Sequence, residues 1–127
     1  MDEDNNSSVD TDKQSRMWGM LCHLTALLGM IGIPFGHLAG PFIVWMLKRD
    51  IHPFVRDQGI ESLNFQLSMT LYIAAAGAFL YLTKIGLGMI MIYILAPINA
   101  LLVIIASLAA YRGESYSYPF KIRFIKS

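Results

Sequence analysis

The sequence predicts an all-α integral membrane bundle of four helices with both termini on the cytoplasmic side. Three observations carry that expectation. Apolar residues make up 55% of the 127 positions and charged residues only 15%, where soluble domains carry about a quarter charged. The charges are segregated: none falls in 17–47, 62–83 or 85–111. Along a four-helix path, every basic residue except Lys84 falls on one side. A soluble domain of this size exposes too much surface to hide three such tracts. A bilayer accommodates them, at about 20 apolar residues per crossing.

Residues 1–16 (MDEDNNSSVDTDKQSR) are acidic, polar and almost without apolar groups. They have too little surface to bury against the entropy of ordering, which predicts a disordered tail. The acids exclude a transit peptide, and no A-x-A-like site follows the first apolar run. The expectation is therefore an uncleaved first helix. The tract from 17 to 47 is long for one helix and is interrupted by Gly29-Met30-Ile31-Gly32-Ile33-Pro34-Phe35-Gly36, with a second break at Gly40-Pro41. Proline removes a backbone donor and glycine permits reversal, so two helices are expected, 17–33 and 35–48. The second reaches only about 21 Å at 1.5 Å per residue, short of a hydrocarbon core of about 30 Å. Its alternative is a re-entrant helix shielded by protein. The third helix runs from 54 to 82 with Pro53 in its first turn. A short turn around Lys84 leads to the fourth, 85–111, where Pro97 predicts a kink.

Topology follows from charge. With four crossings, Lys13, Arg16, Lys48, Arg49, Arg56, Arg112, Lys121, Arg123 and Lys126 share the cytoplasmic side, as lysine and arginine do in membrane proteins. Three crossings split them. A bacterial inner-membrane location with several passes is the corresponding expectation. Residues 17–112 form the transmembrane domain, and 113–127 a basic-aromatic interfacial tail. In that tail Phe120, Ile122 and Phe124 are expected to bury in lipid while Lys121, Arg123 and Lys126 face phosphates, each cation worth about 1 kcal/mol. Trp18, Trp45, Phe54, Tyr111, Tyr116 and Tyr118 gather at the same boundary, as an aromatic belt does.

Polar groups inside a membrane are costly and mark candidate sites. Asp57, Glu61, Asn64 and Ser68 repeat at helical spacing and share one face of the third helix. Glu61 and Asn64 are level with His23 on helix one and Arg112 after helix four. A network of Glu61 with Arg112 or His23 is expected, either fastening the bundle or facing a substrate or proton. Asn99 is the deepest polar side chain, bonding across helices, capping groups freed by Pro97, or lining a pore. Small residues at four-residue spacing, Gly36/Gly40, Ala74/Ala78 and Ala106/Ala110, mark helix-packing faces, within the chain or between protomers.

Other chemistry finds no foothold. His23, His37 and His52 match no metal-binding spacing, and no paired carboxylates, nucleophile elbow or phosphate-binding glycine loop is present. No metal, cofactor or catalytic residue is expected, and the chain is read as not an enzyme. Cys22, the single cysteine, sits among apolar residues as a buried hydrophobe. The net charge of +1 argues for no nucleic-acid partner.

Four stretches carry a family resemblance. They are Trp18 with Cys22-His23-Leu24; Gly40-Pro41-Phe42-Ile43-Val44-Trp45-Met46-Leu47-Lys48-Arg49; Glu61-Ser62-Leu63-Asn64-Phe65-Gln66; and Tyr118-Pro119-Phe120-Lys121-Ile122. Over residues 16–127 the chain resembles the bacterial Tic-twenty-like proteins, small multi-pass membrane proteins related to a subunit of the chloroplast inner-envelope protein translocon. The resemblance implies a four-helix membrane domain and no catalytic residues. The functional expectation is a non-enzymatic packing, assembly or transport-accessory component. Its partners are the lipid bilayer and either copies of itself or another membrane protein. The alternative is a small oligomeric channel or carrier with a polar path near Glu61, Asn64 and Asn99.

Overall fold

The structure is a computed structural model that describes the backbone of residues 2–33 and 35–125, with side chains from Lys13 onward in that range. The backbone of residues 2–16, expected as a disordered tail, is helical, while most of that segment's side chains, like Lys126, lie outside the described range. Among the described residues every regular element is helical. The elements are α1 (Asp2–Leu24), a 3-10 segment (Thr25–Ile31), α2 (Gly36–Lys48), α3 (Pro53–Thr83) and α4 (Leu87–Tyr111).

Two of these helices, α3 and α4, are long and apolar enough to cross a membrane. The turns at their ends follow from local chemistry. His52 caps α3, its Nδ1 accepting from the Phe54 N–H at 3.1 Å, with Pro53 entering the first turn. Lys84 closes α3 in the left-handed conformation, φ 58°, and its N–H still reaches the Leu80 carbonyl.

The first apolar tract departs from expectation. The first helix does not continue to residue 33: it stops at Leu24, and Thr25–Ile31 winds on as a 3-10 segment. The physical reason lies in the partner helix. Gly36 and Gly40 on α2 face this segment so closely that a Cβ at Gly40 would stand 2.4 Å from the Thr25 carbonyl oxygen. The tighter winding lets the two backbones lie against each other, and the G-x-x-x-G pair serves packing within the chain. The reversal itself falls at the expected place, with Gly32 at φ 93° and Phe35 at φ 58°. The break expected at Gly40-Pro41 is absent, since α2 passes through Pro41, and α4 likewise runs unbroken through Pro97.

The core lies where the 3-10 segment, α3, α4 and the segment after α4 meet, and holds Ala26, Phe65, Met69, Val103, Ala106 and Tyr118. Ala106 and Ala110 are fully buried and allow α4 to approach its neighbours. Ala74 and Ala78 are exposed, so this pair does not join helices within the chain. The outer faces of α3 and α4 are apolar and open: Tyr81, Leu82, Ile90, Ile94 and Leu101 are all more than half exposed.

Candidate functional site

The polar stripe of α3 is a seam that holds the C-terminal segment. Its partners are mostly backbone groups. Glu61 Oε1 accepts the Tyr118 N–H at 2.6 Å, and Asn64 engages both backbone groups of Ile125. Ser68 Oγ accepts the Ile122 N–H at 2.6 Å, and the Tyr72 hydroxyl donates to the Phe120 carbonyl. From Glu61 to Tyr72 this contact covers roughly 16 Å of helix. The segment runs along α3 from Tyr118 to Phe120, turns there in the left-handed conformation at φ 61°, and returns through Ile122 to Ile125. An irregular backbone among apolar helices needs such partners, because each unmet peptide group there costs several kcal/mol.

Two features fasten the strap further. The Lys121 ammonium forms an ion pair with Glu61 Oε2, both side chains being about five-sixths buried. Tyr118 is inserted into the bundle at 3% exposure. Its ring stacks on Phe65 with centroids 4.0 Å apart and planes 8° from parallel, and Tyr116 meets it edge-on. Burial first, then the charges at Glu61 and Tyr116, push the Tyr118 hydroxyl well above its ordinary pKa. That hydroxyl stays protonated and donates to His23 Nδ1 at 2.8 Å. His23 Nε2 meets Gln58 Oε1 at 2.7 Å, so with this amide orientation the neutral ring carries its proton on Nε2.

The expected residues are thus brought together in part. Glu61, Asn64 and, through Tyr118, His23 belong to one connected seam. Arg112 does not join it: its Nε lies 3.6 Å from Glu114 in an exposed pair. The cation that meets Glu61 is Lys121, because the tail folds inward instead of lying flat. Phe120, Ile122 and Phe124 keep outward-facing, exposed side chains, and Arg123 is exposed. Asn99 bonds across helices, exchanging two hydrogen bonds with Gln66 at 2.9 and 3.3 Å. Gln58, Gln66, Tyr72 and Tyr118 were missing from the sequence-derived set. Glutamines at 58 and 66, each inside or beside an apolar run, were the signal available for two of them.

Beside Asn99 lies a cavity of about 370 Å³ between the 3-10 segment, α2, α3 and α4. Met30, Met69 and Ile73 make it apolar, while His37 and Thr70, hydrogen bonded to each other at 2.8 Å, add a polar edge.

Fold and seam define a small all-helical protein with two helices fit to cross a membrane and buried polar side chains that mostly pair within the chain. Residues 14–125 match the MamF/MmsF profile, the magnetosome magnetite crystal formation protein family, and the chain belongs to that family. No curated protein and no solved structure matches it. Family membership and the two apolar helices together suggest a membrane location.

This assignment overturns the resemblance to the Tic-twenty-like proteins. The matched region contains all four stretches on which that resemblance rested. Aromatic, glycine and proline residues at the ends of short apolar helices answer to bilayer physics, so they recur among unrelated membrane proteins and carry little family information.

Proposed function

We propose that the chain is a non-enzymatic, multi-pass membrane protein of the magnetosome that contributes to magnetite crystal formation by lateral assembly. It crosses the membrane with its termini on the cytoplasmic side and packs against copies of itself or other membrane proteins. The observation that carries this reading is the contrast between its inside and its outside. Deep polar groups, Gln66 with Asn99 and His23 with Gln58 and Tyr118, are used up within the chain. Outside, Ala74, Ala75 and Ala78 on α3 leave an open small-residue sector beside the exposed apolar face of α4. Small residues let a neighbouring helix approach closely where lipid gives no hydrophobic drive.

The test is crosslinking in native membranes through Ala78→Cys, the one natural cysteine, Cys22, being buried. Discrete crosslinked species are expected, and Ala78→Leu should suppress assembly measured with a lysine-directed crosslinker. Lone protomers alone would refute lateral assembly. Replacing the gene with Ala78→Leu should alter crystal number or size by electron microscopy; crystals identical to wild type would separate the assembly face from mineral formation.

A second reading, a small channel or carrier, is favoured by the cavity next to Asn99. A continuous path past Glu61 and Asn64 requires the strap to leave its seam. In liposomes, solute or ion flux above that of empty vesicles, lowered by Asn99→Leu and Glu61→Gln, is the expected signature; flux equal to empty vesicles refutes it.

A further inference from the structure

A second polar site lies away from the seam, where α1, the cap of α3 and the end of α4 converge. Ser15, Arg16, His52, Phe54, Arg112 and Gly113 line a cleft of about 290 Å³. We propose that this cleft binds a phosphate oxyanion, carried by an anionic lipid headgroup or by a free phosphate ester.

The lining is made of donors. Ser15 is 2% exposed, yet its hydroxyl has no hydrogen-bond partner among the described residues. Buried hydroxyls are normally satisfied, and an unpartnered one on a residue that lines a cleft can turn its proton toward an acceptor bound there. His52 Nδ1 accepts the Phe54 N–H, which leaves Nε2–H as the ring's donor. Arg16 and Arg112 add two guanidinium groups, whose planar donor forks match phosphate oxygens. No lining residue carries a carboxylate. The Glu114 beside Arg112 forms a pair at 3.6 Å with both side chains more than half exposed, and such a pair contributes little.

The backbone is shaped for the same convergence. Gly113 takes φ 81°, and a Cβ there would stand 3.1 Å from Arg16 Cδ. Glycine at this position both permits the turn out of α4 and leaves room for the Arg16 stem to cross it. Two cations thus border one small cleft, an arrangement that an anion between them relieves. Phe54 lines the cleft and Tyr111 adjoins it in sequence, the residue types that sit at headgroup level.

The experiment uses the full chain purified in detergent and followed by native mass spectrometry. It is titrated with dioleoylphosphatidylglycerol, with the zwitterionic dioleoylphosphatidylcholine, and with glycerol 3-phosphate. Saturable binding of phosphatidylglycerol that phosphatidylcholine does not match is expected, weakened about tenfold or more in Arg16→Gln/Arg112→Gln and unchanged in Lys84→Gln at the far end of the bundle. Saturable binding of glycerol 3-phosphate alone would assign the site to free phosphate esters, and binding of the lipid alone to headgroups. Saturable binding of none of them, or a double variant that binds as wild type, overturns the proposal. Because the double variant can fail to fold, phenylglyoxal modification of wild-type Arg16 and Arg112 gives an independent readout. The bound ligand should slow it several-fold, and equal rates with and without ligand overturn the site.

Discussion

Asn64 treats Ile125 as a neighbouring strand would: its Nδ2 donates to the Ile125 carbonyl at 2.9 Å and its Oδ1 accepts the Ile125 N–H at 2.7 Å. A carboxamide reproduces the donor–acceptor pair of a peptide group, and this match fixes the return limb of the strap on α3. Asn64→Ala removes both bonds and leaves two peptide groups without them, at a cost of about 1–3 kcal/mol. Trypsin cleavage after Lys121 and Arg123 should accelerate about tenfold in the variant, read by mass spectrometry of the released fragments. Equal cleavage rates would mean that the strap is held elsewhere.

Glu61 and Lys121 form the charged part of the same seam, and removing one partner strands the other. Glu61→Ala should destabilise the bundle by about 2–3 kcal/mol in a denaturation assay in mixed micelles, more than Lys121→Met does, because Glu61 also accepts the Tyr118 N–H. A double-mutant cycle should return a coupling on the order of 1 kcal/mol or more. Strictly additive single effects would contradict the ion pair.

The Tyr118 hydroxyl sets an alkaline limit on the docked state. Its pKa is raised in the folded protein, above the value of about 10 that it has when unfolded. The unfolded chain therefore loses this proton first as pH rises. The stability tied to this group is complete below about pH 10 and declines above it, by up to about 1.4 kcal/mol per pH unit. Unfolding measured from pH 9 to 11 should show this decline in wild type and a shallower one in Tyr118→Phe, which also loses the bond to His23. The same slope in both would refute the assignment.

Gln66 and Asn99 are each other's solution at depth. Either single leucine substitution leaves an unpaired amide among apolar side chains and should cost about 1–3 kcal/mol. Gln66→Leu/Asn99→Leu should recover most of that loss in the same denaturation assay, since the unsatisfied group is gone. A double variant as unstable as the sum of the singles would show that the two amides act independently.

Glycines separate packing from mere flexibility. A methyl at Gly40 meets the Thr25 carbonyl oxygen at 2.4 Å, whereas nothing lies within 4 Å of one at Gly77. Gly40→Ala should lower stability by about 1–3 kcal/mol, and Gly77→Ala should raise it by up to about 1 kcal/mol through helix propensity. Thermal melts of both variants in one detergent check the opposite signs.

Much of the helical frame was legible in the charge-free tracts. The limits of α3 and α4 fall within a few residues of the expected ones because Pro53, Lys84 and Gly86 punctuate them. The 3-10 segment was not legible: Thr25–Ile31 has ordinary helix-forming residues, and its winding answers to the bare glycines of α2 across the reversal. On α3, the spacing of Glu61, Asn64 and Ser68 announced a polar face, yet it could not announce the partner. Those side chains bind mainly peptide groups, which every residue carries and no sequence pattern distinguishes. The helix-end cation expected for Glu61 is Arg112, whereas the one that meets it is Lys121, just beyond the left-handed turn at Phe120.

The strap joins residues 48 to 61 positions apart in the chain. During synthesis, α3 is therefore complete long before its polar seam can be covered. Until residues 118–125 leave the ribosome, Glu61, Asn64 and Ser68 need water or a chaperoning partner in place of the missing peptide groups. A ribosome that stops at Tyr111 yields all of the helices and an unhealed groove, which makes such a fragment a natural target for quality-control proteases.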